Sequence, residues 1–304
     1  MISPGQLPFS DALRFARDRR LLPNDMSSSE LAQLPVEVRQ GAVFSAGVIE
    51  ADVLQLVHER ISTMASGLSQ APGALPNKAS VRTELKELLQ AIDYQPEARK
   101  EGTISDLRTD ARLNLIIDTQ LKMAHGYGQW RQANSEGALL IFPCAEFKRV
   151  APRRVPRGYR LKAGVIIPEN PRYWQDRWVR AGGTIYDGRM IAPVNDPVWE
   201  ALSRFGLPYD PCDFNTGYAR RPVGRAEAVK LGVIQPKERV AAAPDSRATQ
   251  AQQVEALSTT PALKARLKDG FSASLAAFGA GIRSGLLEVL RGWFTAEGDQ
   301  LVAL

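Results

Sequence analysis

Residues 113–168 read LNLIIDTQLKMAHGYGQWRQANSEGALLIFPCAEFKRVAPRRVPRGYRLKAGVIIP, and the pattern changes halfway through. The first part is helical. Leu113, Ile116, Ile117, Leu121, Ala124 and Gly128 recur at spacings of three and four and so share one face. Asp106 offers a carboxylate suited to capping this helix, which is expected to run to about Arg131. Gly126 and Gly128 each cost about 1 kcal/mol of helix stability relative to alanine, so they point to close packing or to a fraying end. After residue 135 the helical period stops. Ala138–Phe142 is a short apolar run that reads as a buried strand, and Gly164–Ile167 reads as another. Ten prolines then fall between Pro143 and Pro222, a density that excludes long helices and points to short strands joined by loops.

The residues before this stretch continue its helical half. A short helix is expected from Ser10 to Arg17. A longer one is expected from Ala46 to Met64, where Ile49, Val53, Val57, Ile61 and Met64 are four or three apart. Val81, Leu85, Leu88, Leu89 and Ile92 mark a third. After it, residues 225–231 suit a brief helix, and 236–261 are rich in Ala, Gln, Ser and Thr and read as a linker. Leu263, Leu267, Phe271, Leu275 and Phe278 then form an apolar stripe that Ile282, Leu286, Leu290 and Phe294 would extend. The expected architecture is α+β: a mainly helical part over 1–135, a basic, loop-rich domain with short strands over 136–235, and a linker with amphipathic helices over 236–304.

The net charge of +6 is not spread evenly, because residues 136–235 alone hold 16 basic and 10 acidic side chains. Within them, 148–180 carries ten cations against only Glu169 and Asp176, with Tyr159, Tyr173, Trp174 and Trp178 interleaved. Arginine forks suit phosphate oxygens, and aromatic rings can stack on bases or simply pack. The candidate nucleic-acid-binding residues are therefore Arg149, Arg153, Arg154, Arg157, Arg160, Lys162, Arg172 and Arg177. An acidic protein surface, or plain solvent, would satisfy the same charges.

Signals for catalysis are sparse. The two histidines, His58 and His125, have no second histidine four residues away as a helical zinc site requires, and no P-loop or G-x-S-x-G elbow occurs. Cys144 and Cys212 read as reduced, partly buried thiols of a protein made in the cytoplasm, although one disulfide could join them. The N-terminus lacks the layout of a secretory signal, and no apolar run is long enough to cross a membrane. These features lead to an expectation of no enzyme, no metal and no cofactor. The alternative is an enzyme, a nuclease or toxin, using the carboxylates Asp187, Asp196, Asp210 and Asp213.

Several segments are similar, in order, to one family. Leu7-Pro8-Phe9-Ser10-Asp11-Ala12-Leu13-Arg14-Phe15, Leu22-Pro23 and Phe44-Ser45-Ala46-Gly47 resemble the opening of Mu F-like phage head morphogenesis proteins. Thr119-Gln120-Leu121-Lys122-Met123-Ala124-His125-Gly126-Tyr127-Gly128-Gln129-Trp130 resembles that family's T-N-L-x-x-A-x-x-x-G-R-W helix. Gly188-Arg189-Met190 with Asn195-Asp196-Pro197-Val198-Trp199 resembles its G-K-V…D-D-P-F-W segment. The family's D-x-R-x-R-x-x-H signature is missing here, and Phe214 stands where a second cysteine would accompany Cys212. The resemblance implies a minor capsid protein of a Mu-like tailed phage, in the virion near the portal and in the host cytoplasm during assembly. Its implied partners are the portal protein, other capsid or scaffold proteins, and double-stranded DNA during packaging or delivery. The alternative enzyme would then be one delivered with the phage genome.

Overall fold

The computed structural model describes residues 10–24, 26–34, 36–67, 77–245, 294–297 and 300–303. It is a mixed α and β fold, as the sequence pattern predicts. The chain forms two compact units, Met1–Ala124 with Asp245–Leu304, and His125–Pro244.

The first unit is built on helices α1 (Ser10–Asp18), α2 (Ser28–Leu31), α3 (Val36–Gly41), α4 (Ala51–Gly67), α5 (Lys78–Ala91) and the opening part of α6 (Asp110–Ala133). A two-residue parallel pair joins β1 (Arg20–Leu21) to β2 (Ala42–Val43). Helix α4 packs against both α1 and α5. Its buried Val53, Val57 and Ile61 belong to the stripe of apolar residues spaced four apart in the sequence. The helix starts five residues later than predicted, because Ser45–Val48 closes a turn in which Val48 N–H donates to the Ser45 carbonyl and Gly47 takes φ +65°. Ile49 is therefore outside the helix and 53% exposed.

Helix α6 likewise begins after its predicted cap. Asp106 instead accepts from the N–H groups of Gly102 and Arg108, while Thr109 Oγ1 accepts from Arg112 N–H at the true start. A buried polar contact ties this unit together: Arg19 donates to Gln120 Oε1 at 2.6 Å, and Gln120 Nε2 donates to the Phe44 carbonyl. His58, half-buried on α4, meets the Ala16 carbonyl at 2.8 Å.

The second unit contains the rest of α6 and a short helix α7 (Glu136–Ile141) where a strand was expected. Five apolar residues in a row have no period, and the Ser135 hydroxyl accepts from Ala138 N–H and caps a helix there. The core of the unit is the antiparallel sheet β6-β7-β3-β8, made of β3 (Cys144–Arg149), β6 (Ile185–Tyr186), β7 (Arg189–Pro193) and β8 (Tyr218–Val223). A separate two-stranded ribbon, β4 (Tyr159–Lys162) with β5 (Val165–Pro168), contains most of the second expected strand. That strand is exposed rather than buried, because the ribbon pairs with no other strand among the described residues.

Helix α8 (Tyr173–Arg180) drives Trp174 and Trp178 into the core beside Phe147 of β3, and α9 (Val198–Leu202) adds Trp199 against Trp178. Both tryptophans at that contact also satisfy their indole N–H on backbone carbonyls, of Thr184 and Pro193. The unit closes with α10 (Arg225–Lys230), as expected, and the chain beyond it stays attached. Val240 is buried, and Ala243 N–H donates to Asn134 Oδ1 at 2.7 Å.

Phe294 lies on a strand rather than a helix, in the antiparallel pair β9 (Phe294–Glu297) and β10 (Gln300–Ala303). The apolar stripe expected from Leu263 to Leu290 falls outside the described residues.

Candidate nucleic-acid interface

The arginine-rich segment divides into cations that turn inward and cations that stay in solvent. The inward set is organised by Asp213, which is only 1% exposed. Arg177 donates from Nη1 to Asp213 Oδ2 at 2.8 Å and from Nη2 to the Leu202 carbonyl at 2.6 Å. Burial alone would lower the pKa of this guanidinium, but the bond and charge of Asp213 outweigh it and hold the pKa above the ordinary arginine value. Arg157 reaches the other carboxylate oxygen at 3.4 Å and donates to the Phe214 carbonyl. Arg153 stands beside them half-buried. Burial first, and then the neighbouring Arg157, lower its pKa, while Asp213 opposes the shift. Arg157 and Arg177 are therefore engaged by the buried Asp213, Arg177 the more deeply of the two.

The other predicted residues lie on the surface. Arg149 ends β3 with its guanidinium 5.2 Å from the centroid of Tyr218 on β8. Arg154 is exposed on the loop that follows. That loop is fastened by the N–H groups of Val150 and Ala151, both donating to the Gly217 carbonyl. Gly217 permits the approach, since a Cβ there would lie 2.5 Å from the Ala151 oxygen. Arg160 and Lys162 project from β4, Arg160 in an exposed pair with Glu169 at 3.0 Å, and Arg172 leads into α8. Lys148 and Arg180 are exposed as well. Among the described residues, Lys148, Arg149, Arg154, Lys162, Arg172 and Arg180 are in no ion pair.

The carboxylates of 187–213 are not gathered at one point. Asp187 occupies the exposed turn between β6 and β7, Asp196 accepts from Val198 N–H ahead of α9, and Asp213 is held by arginines. Among the described residues, no three His, Cys, Asp or Glu side chains are grouped to hold a metal ion. Cys144 and Cys212 are free and buried. Burial pushes Cys144 up to about 12 and Cys212 further upward.

Asp210, the fourth of the candidate carboxylates, has a different setting, and its burial at a cavity carries no sequence signal. It borders a cavity of about 390 Å³ with Trp130, Phe142, Cys144, Tyr209 and Arg220. Its Oδ2 accepts from Arg220 N–H at 3.0 Å, while Oδ1 is buried without a hydrogen-bond partner. Burial raises this carboxyl above the usual range, against the pull of Arg220, whose guanidinium stacks 4.5 Å from the Trp199 centroid.

No helix among the described residues is long and apolar enough to cross a membrane. Compared with known protein families, with curated proteins and with solved structures, the chain matches none.

Proposed function

We propose that this chain is a minor head protein of a Mu-like tailed phage, that it associates with the portal protein, and that its second unit contacts packaged double-stranded DNA. The phage reading rests on the ordered sequence resemblance. The DNA reading rests on one observation: among the described residues Lys148, Arg149, Arg154, Lys162, Arg172 and Arg180 are exposed and in no ion pair, while Arg157 and Arg177 are partly buried and engaged by Asp213. Such a surface attracts a polyanion and requires no base-specific contact.

Titration of the purified protein onto a mixed-sequence duplex at several salt concentrations tests this. About five phosphate contacts give a log–log slope of about −4 to −5. Absence of binding at low salt, or a flat salt dependence, rejects the DNA reading. Co-sedimentation with portal protein tests the other half, and a protein that stays in the supernatant rejects it.

One observation favours the alternative of a phage-delivered enzyme, namely the raised carboxyl of Asp210 at a cavity. Turnover of DNA or RNA in the presence of divalent cations, lost in Asp210→Asn, would establish that alternative.

A further inference from the structure

We propose that the β4–β5 ribbon is the element that enters a groove of the DNA, an inference that rests on the DNA reading above and assigns it a specific arm. The ribbon pairs Tyr159 with Pro168, Arg160 with Ile167, Leu161 with Ile166, and Lys162 with Val165. Cross-strand partners and every second residue share a face. One face is therefore Tyr159, Leu161, Ile166 and Pro168, without a charge. The other is Arg160, Lys162, Val165 and Ile167. The two strands are joined through Ala163 (φ 49°) and Gly164 (φ 81°), the left-handed pair of a tight two-residue hairpin turn. Among the described residues no other strand pairs with either edge. Leu161, Val165 and Ile166 are 44%, 62% and 44% exposed.

The foot of the ribbon is fixed. The Gly158 carbonyl accepts from the N–H groups of both Glu169 and Asn170 at 2.8 Å, and a Cβ on Gly158 would lie 1.8 Å from the Asn170 oxygen. The Asn170 carbonyl in turn accepts from Tyr173 N–H, and its side chain donates to Asp176, so the foot is tied to the start of α8. Trp174 and Trp178 anchor that helix in the core. The result is an arm with an ordered base and a free apolar tip.

A lone two-stranded hairpin is marginal in water, and one with both edges open and a bare apolar face gains from being covered. The charges select the cover. Arg154, Arg160, Lys162 and Arg172 lie along the ribbon and its two approaches. Of the two acids at its base, Glu169 pairs with Arg160 and Asp176 accepts from the Asn170 side chain, which leaves Arg154, Lys162 and Arg172 without an ion pair among the described residues. A two-stranded ribbon fits within a DNA groove, and apolar side chains flanked by cations are the means by which architectural proteins wedge against base steps and sugars. From 159 to 168 only Tyr159, Arg160 and Lys162 carry hydrogen-bonding side chains, so the arm follows groove shape and phosphates with little sequence preference.

The test uses the full chain on a mixed-sequence duplex, comparing wild type with the double variant Leu161→Ser/Ile166→Ser and with Arg154→Gln. The double variant is expected to bind roughly tenfold or more weakly with an unchanged salt slope, because it removes apolar contact and no ion pair. Arg154→Gln is expected to reduce the slope by about one. Equal circular dichroism spectra establish that the fold is kept. A photo-crosslinker placed at Val165 is expected to label DNA. If wild type fails to bind any duplex, the DNA reading itself falls. If wild type binds and the double variant binds equally well, the DNA reading stands and the arm is rejected. A crosslink from Val165 to portal protein alone, with DNA also present, overturns the arm in favour of a protein contact.

Discussion

Asp213 shows how one residue redistributes the charge of a whole segment. With 1% exposure it is the counterion of Arg177, which is 19% exposed, and of Arg157, which is 32% exposed. Truncating one partner of a buried pair leaves the other charge without compensation, at a cost of about 3–5 kcal/mol. Asp213→Ala is expected to fall at the lower end, about 3 kcal/mol, because Arg157 can turn to water whereas Arg177 is also held by the Leu202 carbonyl. Urea unfolding monitored by tryptophan fluorescence measures it, and a loss well under about 1 kcal/mol would mean that the clamp is not what fixes these arginines. The sequence showed the ten cations of 148–180 clearly, but not their direction. Arg177 and Arg154 look alike in composition. What separates them is a carboxylate 36 residues downstream from Arg177, and only the folded chain brings it near.

At the level of elements, α6 shows why a helix tolerates a glycine. A Cβ on Gly126 would lie 1.9 Å from the backbone oxygen of Asp210, so the helix and the Tyr209–Asp210 loop approach as closely as backbone allows. Tyr127 and Trp130 of the same helix flank the contact by packing on the Tyr209 ring at 5.5 and 5.9 Å. Gly126→Ala would ordinarily gain about 1 kcal/mol in a helix. Here overpacking against backbone is expected to reverse that and cost about 1–3 kcal/mol. A variant more stable than wild type by thermal melting would refute the close approach. The sequence left close packing or a fraying end open at Gly126, and the approach of the Asp210 backbone decides for packing. The periods of α4 and α5 were legible, and β5 was legible as a strand from its apolar run, though not its exposure, since an apolar run signals burial and Val165 and Ile166 are exposed. The starts of α4 and α6 were not, because caps depend on turns such as Ser45–Val48 that override a carboxylate or a period. Nor was α7, whose unbroken run Ala138–Phe142 suits either structure until the Ser135 hydroxyl takes the Ala138 N–H.

Across the whole molecule, the two histidines give the stability a pH dependence. His58 is lowered first by burial and then by Arg19, against the pull of the Ala16 and Arg17 carbonyls and Glu59. His125 is lowered by burial. A histidine whose folded pKa lies below its unfolded value near 6.5 takes up protons more readily when unfolded. Its contribution is therefore complete above about pH 6.5 and is lost as the pH falls through the folded value. Glu50 and Asp210 run the other way. Burial raises both, so the unfolded chain gives up their protons first and their contribution fades as the pH rises. Wild type alone therefore mixes opposing slopes, and a variant is needed to isolate one. His58→Gln retains a side-chain N–H for the Ala16 carbonyl and removes the titration. From about pH 7 to about pH 5, the melting temperature of wild type is expected to fall relative to that of His58→Gln, with the carboxyl contributions cancelling between the two proteins. Melting temperatures that keep a constant separation over that range would show that His58 takes up its proton as easily in the folded chain as in the unfolded one.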